Sequence, residues 1–369
     1  MKSAQTKSIP QDLIVEIFSW LPIKSLLRYR CVSKFYNSLV SESNFMDIHH
    51  RRSMTRPGGR KYLMYQKGVF YTTKLKEDGK ASHLPIENFN QLHRYRSASC
   101  LMCVNGLVCA WRDENHLAIC NFGTREVRFI RCPKEIVNKV YPVCSIGFEP
   151  EEQKYKLWLT LHLSDWYTRN WVFTLDIDKS WRETKCNARF FPSNKRVCVN
   201  GVIFMFSNGY RDSLFQIVAF DVKAETFSTF TFSPTLPCNE YIYYNLIEVK
   251  GKLAVLNYSS EDMHLWVFGK AQNDDWKRHI IPCPSQWEGI DVKLKSYSRF
   301  MCSSCDGEII FESITKSGSY IYICYNITRE SWREFEVEKL YVNRAFNIIF
   351  CYVENLFPLG KLCNANLQD

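Results

Sequence analysis

Long apolar runs are missing where a leader or membrane anchor would need one. The opening MKSAQTKSIPQD carries two lysines, and charge returns at Asp12 and Glu16. A membrane span takes about 20 apolar residues in succession, so the sequence predicts no signal peptide, no membrane contact and a place in the cytoplasm with access to the nucleus. Catalytic signatures are missing as well: the 8 histidines are scattered, with no H-E-x-x-H, no G-x-S-x-G elbow, no Walker sequence and no dinucleotide fingerprint. A non-catalytic protein without a cofactor is the expectation. With no secretory leader, the 16 cysteines are expected to be reduced, buried small hydrophobes, and the sequons at Asn257 and Asn326 unused. The pairs Cys100/Cys103 and Cys302/Cys305 have metal-ligand spacing. Each precedes a turn on an apparent strand, where positions i and i+3 face opposite ways, so no metal is expected.

Apolar surface is plentiful, with 46% hydrophobic and 15% aromatic residues against 23% charged ones in 369 residues. That excludes a mainly disordered chain and suggests a small domain plus a large one, or one large repeat-built domain. The net charge is +10, and residues 1–61 hold 11 Lys and Arg against 4 Asp and Glu, most of that excess. Such asymmetry points to an acidic partner for the N-terminal part, a nucleic acid or an acidic protein surface.

The N-terminal part reads as three short helices. Pro10 and Asp12 suit a first turn, Leu13, Ile17 and Leu21 recur at i, i+4 and i+8 with Ile14 and Phe18 beside them, and Pro22 ends the run. A second helix is expected over 23–30 with Leu26 and Leu27 inward, and a third over 34–40 with Tyr36 and Leu39 inward. About 40 residues make a marginal unit, which needs a partner or a neighbouring domain to cover its apolar faces.

The segment IPQDLIVEIFSWLPIKSLLRYRCVSKFYNSL resembles the F-box, by which SCF-type ubiquitin ligases seat their substrate receptors on the Skp adaptor. Pro10, Leu13, Ile17, Leu21, Pro22, Leu26, Leu27, Cys31, Val32, Ser33, Lys34 and Leu39 match the family pattern. Ile9 replaces the usual leucine, and Tyr36 stands where tryptophan is commonest. The resemblance implies that residues 9–52 bind the adaptor and, through it, the cullin scaffold, with Tyr36 among the contacts. The family's adaptor is expected to be acidic, so Lys24, Arg28, Arg30 and Lys34 would steer encounter, and the basic charge calls for no nucleic acid. The basic stretch 53–61, with Pro57-Gly58-Gly59, reads as a linker.

From 62 to 357 the pattern changes to short aromatic and β-branched runs separated by Gly, Asn, Asp and Ser, a strand-and-turn signature. Val104-Asn105-Gly106, Val199-Asn200-Gly201, Val249-Lys250-Gly251 and Cys305-Asp306-Gly307 each precede an apolar strand. Second strands follow (LAICNF, IVAFDV, LWVFGK, IYICYN), then an aromatic residue at Phe129, Phe227, Trp276 or Trp332, and a further copy runs from Gly147 to Trp181. Turn glycines 201, 251 and 307 recur near the roughly 50-residue period of kelch-like blades. The expected fold is therefore a small all-α module followed by a large all-β domain, a β-propeller of about six blades. Residues 61–100 and 345–357 would supply the closing blade, and 358–369 a tail.

CVNGLVC, SIGFEP, WVFTLDIDKSWRET, CVNGVIF and IVAFDV are similar to the plant F-box-associated interaction domain. That family includes S-locus F-box proteins, which recognise cytotoxic ribonucleases, so the resemblance implies a protein target and admits a ribonuclease. Equivalent loops of stacked blades point one way, and those at 112, 163, 207, 258 and 315 differ widely in sequence. Trp166, Tyr167, Arg169, Tyr210 and Arg211 are the candidate target anchors, because Trp, Tyr and Arg dominate interface hot spots. The alternative is an independent propeller enzyme or lectin-like protein.

Overall fold

A computed structural model describes residues 9–56, 60–66, 69–75, 80–85, 101–111, 115–136, 142–163, 167–207, 215–232, 244–258, 263–269, 276–282, 299–304, 307–314, 320–337 and 348–360. The N-terminal helices are α1 (Gln11–Ser19), α2 (Ile23–Arg30), α3 (Lys34–Ser41) and α4 (Ser43–Thr55). Pro10 and Pro22 sit in extended conformation immediately before α1 and α2, where a missing N–H costs nothing. Ser33 caps α3 by accepting the amide of Phe35 at 3.1 Å. The first three helices lie where the periodicity puts them. The fourth is an addition to the expected three, and it occupies the start of the expected 53–61 linker. Its buried face is Phe45, His49 and Ser53, two of them polar, so hydropathy leaves no helical stripe.

The strands form six blades of four. In chain order the blades after the first are β4–β7 (Met102–Val104, Leu107–Trp111, His116–Asn121, Glu126–Arg131), β8–β11 (Val143–Glu149, Lys154–His162, Thr168–Thr174, Arg182–Thr184) and β12–β15 (Arg196–Val199, Val202–Ser207, Phe215–Asp221, Thr226–Phe232). Then come β16–β19 (Tyr244–Val249, Lys252–Asn257, Met263–Phe268, Trp276–Ile281) and β20–β23 (Arg299–Ser303, Glu308–Ile314, Tyr320–Asn326, Ser331–Val337). The first blade is composite: β1 (Arg60–Gln66), β2 (Val69–Leu75) and β3 (Lys80–Pro85) take their innermost strand from the other end of the chain, β24 (Ile348–Val353). β24 runs antiparallel to β1, with Arg60 opposite Val353 and Tyr65 opposite Ile348. Innermost strands neighbour one another in the closed order β24, β4, β8, β12, β16, β20, so the ring leaves no gap between first and last blades.

Packing follows the two-residue period of the strands. On β9, Leu157, Leu159 and Leu161 join the core shared with the β4–β7 blade, while Trp158 faces the core shared with β12–β15. Two of the recurring tryptophans share a task. Trp181 Nε1 donates to the carbonyl of Arg131 at 2.8 Å and Trp332 Nε1 to that of Pro282 at 3.1 Å, each reaching the end of the preceding blade's outer strand. Between first and last blades, the Tyr62 hydroxyl donates to Glu308 at 2.6 Å, and Glu308 also receives Arg333 at 2.9 and 3.0 Å.

The Asn-Gly and Lys-Gly turns are two-residue hairpin loops with both residues at positive φ: 44° and 82° at Asn105-Gly106, 51° and 72° at Lys250-Gly251. After β24 the chain crosses the first of these turns. Asn355 Nδ2 donates to Asn105 O and to the Tyr155 hydroxyl, at 2.6 Å for the latter, and Asn121 Nδ2 donates to Asn355 O and Phe357 O, both at 2.9 Å. Leu359 is buried in the core between the β4–β7 and β8–β11 blades. The chain is therefore packed past 358, where a tail was expected; residues 361–369 lie outside the described part.

A Cβ added at Gly106 would overlap the Val353 carbonyl oxygen and come within 2.8 Å of Asn355 Cβ, whereas at Gly251 the nearest atom is Asn200 Nδ2 at 3.5 Å. Gly251→Ala should therefore lower stability by about 1 to 2 kcal/mol, the strain of a Cβ at left-handed φ alone. Gly106→Ala should lower it more, by displacing the closing segment. Denaturant midpoints of the two variants check the order.

Candidate protein-binding surfaces

Two surfaces follow from this arrangement, one on the helices and one on the far side of the propeller. The helices enclose their own core of Phe18, Ile23, Leu26, Leu39, Val40 and Phe45, which the propeller's Leu356 completes. Leu26 and Leu39 are buried, Leu21, Leu27 and Tyr36 half-buried, and Tyr36 stacks on Phe18 with ring centroids 4.8 Å apart. Leu13, Ile17 and Val32 face outward, 52%, 54% and 72% exposed, and Pro10, Pro22 and Cys31 are exposed beside them. The expected adaptor residues thus divide into a supporting core and an outward apolar set. Ile9, Trp20, Tyr29 and Phe35 are also exposed; the last three are not among the residues singled out from the sequence. Lys24, Arg28, Arg30 and Lys34 are exposed as expected.

Glu354, immediately after β24, fixes the helices to the propeller. It receives the Ile23 amide at 3.1 Å, which is the first N–H of α2, together with the Arg56 guanidinium and the Lys61 ammonium. Arg56 also donates to the carbonyls of Leu21 at 2.7 Å and Trp20 at 3.0 Å. Burial alone would raise the pKa of Glu354, but Lys61, the Ile23 amide and Arg56 together hold it below its ordinary value. The His49 Nε2–H donates to the Leu21 carbonyl at 2.9 Å, and Nδ1 is buried without a hydrogen-bond partner. Desolvation lowers its pKa from 6.5 to about 4.

The helices cover the propeller end that carries the Asn-Gly turns and the turns between third and fourth strands: a Cβ at Gly123, in one such turn, would lie 2.7 Å from Ile23 Cδ1. Strand direction then puts the facing ends of the second and third strands at the opposite end; the loops joining them, the ones expected to contact a target, lie largely outside the described residues. Of the five target candidates, Trp166, Tyr210 and Arg211 lie outside the described residues. Tyr167 is 53% exposed. Arg169 folds onto its own sheet, where Glu183 binds it twice at 2.8 Å and its guanidinium lies 5.0 Å from the Trp171 ring.

Neither C-x-x-C pair is wholly described, since Cys100 and Cys305 fall outside. Burial pushes the Cys103 thiol up to about 12 and the Cys302 thiol well above its ordinary value, disfavouring the thiolate a metal requires. Among the described residues no cluster of three His, Cys, Asp or Glu is placed to hold an ion.

Comparison with known proteins places these surfaces in a family. Residues 7–47 match the F-box domain and residues 64–356 the F-box associated beta propeller domain. The chain belongs to the family of F-box proteins that carry this propeller. It is 30% identical to the Arabidopsis thaliana F-box protein At1g30790, with 92% of each chain covered, and 28% identical to F-box protein At3g47030, covering 87% of this chain and 81% of that one. F-box protein DOR, from the same plant, is 27% identical, with 89% and 88% covered.

Core and surface positions should separate in stability measurements. Leu26→Ala should lose about 2 to 5 kcal/mol, and Leu13→Ala or Ile17→Ala within about 0.5 kcal/mol, read from urea unfolding. The joint should also weaken in acid. Between pH 6.5 and about 4 an unfolded chain protonates His49 while the native one does not, so stability falls on the order of 2 to 3 kcal/mol as pH drops through that window. Melting temperatures between pH 7 and 4.5 should show a shallower decline for His49→Gln, which keeps a donor for Leu21.

Proposed function

We propose that this protein is the substrate-recognition subunit of an SCF-type ubiquitin ligase, docking on a Skp-family adaptor, and through it on the cullin, by the outward face of the helices. The observation that carries the proposal is where the apolar surface lies. Of the 12 large hydrophobic side chains exposed among the described residues, 7 belong to the N-terminal helical module, residues 9–56, a concentration that marks an interaction surface. Leu13 and Ile17 stand one turn apart on α1 and supply its centre, and the basic side chains around them suit an acidic partner.

The target protein binds the opposite end of the propeller, in the cytoplasm or nucleus. The chain makes and breaks no bond in this reading; it raises the effective concentration of a target lysine near the thioester carried by the conjugating enzyme. Glu354 matters here because it fixes the relation between the two surfaces, which sets where that lysine lies. A ribonuclease, suggested by the S-locus resemblance, is one target to present to the assembled complex.

Co-purification with a plant Skp adaptor tests the reading, comparing wild type with Leu13→Asp plus Ile17→Asp and using circular dichroism to confirm folding. Wild type should form the complex and the folded double variant should lose it. No complex from folded wild type would sink the proposal and turn attention to an independent propeller enzyme or lectin.

A further inference from the structure

Outside the helices, 5 large hydrophobic side chains are exposed among the described residues: Leu163, Tyr167, Ile177, Phe191 and Ile280. Three of them lie on the propeller end opposite the helices. Leu163 and Tyr167 flank the loop between β9 and β10, with the Leu163 amide donating to the Tyr167 carbonyl at 3.0 Å. Phe191, in the connection from β11 to β12, lies against His162, next in sequence to Leu163, with ring centroids 4.4 Å apart. Arg189 crosses the Tyr167 ring 5.1 Å from its centroid and donates to its hydroxyl at 3.0 Å. Phe191 on His162 and Arg189 on Tyr167 thus bring the β11–β12 connection against the ends of β9 and β10.

Among the described residues of this surface the fixed charge is the Arg189 cation. Glu183, one of two acids near Arg169, is taken up by it, and Asp165 lies outside the described residues. The ion pairs among the described residues include neither Arg189 nor Lys185, and both are exposed. The hydrogen bond of Arg189 goes to a neutral phenol, so it orients the guanidinium without neutralising it. Stacking on Tyr167 fixes the cation at the edge of the apolar surface. A partner that fills the surface must bring a bulky apolar side chain, and the cation at its edge selects acidic residues beside it.

We propose that Phe191, Leu163, Tyr167 and Arg189 form the target-docking site of this receptor and take an acidic peptide segment bearing a bulky apolar side chain. The site rests on the receptor reading above and deepens it. Apolar contact supplies the affinity, and the Arg189 charge supplies the selection and a dependence on ionic strength. The β11–β12 connection supplies Phe191 and Arg189, beside Leu163 and Tyr167 at the ends of β9 and β10.

Binding of the full chain to fluorescent synthetic peptides tests this. Use pools with a central Leu-Phe pair flanked by random mixtures of Asp and Glu, of Lys and Arg, or of Ser and Asn. The acidic pool should bind tightest and weaken as salt rises. Phe191→Ser plus Tyr167→Ser should weaken that binding about tenfold or more, and Arg189→Glu should transfer the preference to the basic pool. Absence of binding by every pool, equal binding of all three, preference of wild type for another pool, or acidic-pool binding indifferent to the variants would each overturn the proposal. The same variants should retain the adaptor, so failure here is distinguishable from failure of the receptor reading: the latter shows as loss of adaptor binding in folded wild type.

Discussion

The antiparallel pairing of β24 with β1 is the contact on which the other parts depend. It joins residues 348–353 to residues 60–65 and gives the first blade its inner strand. The chain that leaves it at once makes three further connections. Glu354 seats the helices, Asn355 binds the Asn105 turn and Tyr155, and Leu359 enters the next interblade core. A twelve-residue stretch thus closes the ring and attaches the helical module. Pairing of such sequence separation carries a large loop-closure entropy, and the dense set of contacts beyond Val353 offsets it.

The same stretch explains why the two surfaces hold a fixed relation. The Arg56 and Glu354 side chains are 9% and 6% exposed, and a buried pair stripped of one partner leaves an uncompensated charge. His49 keeps its neutral form in the same joint because burial would strip an imidazolium of water, leaving its Nδ1–H without an acceptor. The joint therefore tolerates little angular freedom at neutral pH. In the proposed receptor role that property matters, since a hinged connection would spread a bound target over many positions.

Much of this was legible in order along the chain. Prolines 10 and 22, Ser33 and the leucine periodicity mark the ends and inner faces of three helices, because capping and amphipathicity are local. Asn105-Gly106 and Asn200-Gly201 mark the two-residue turns, because only a few residue types accept positive φ. The fourth helix was illegible because its buried face holds His49 and Ser53, polar residues whose burial becomes tolerable only after the propeller and the Leu21 carbonyl are in place. The packed segment up to Leu359 was illegible for the same reason: its partners lie some 200 residues or more away, at Asn105, Asn121 and Tyr155.

The candidate surfaces divide along the same line. The sequence by itself determined the helical module, the blade repeat and the residues of the F-box pattern, since each rests on spacing within one or two turns of chain. Which of those residues support and which face outward, Leu26 and Leu39 against Leu13, Ile17 and Val32, was decided by the tertiary structure. So was the contact of Tyr167 with Arg189 and of His162 with Phe191. Burial and charge compensation are properties of neighbours in space, and here those neighbours come from separate segments that only the folded blades bring together.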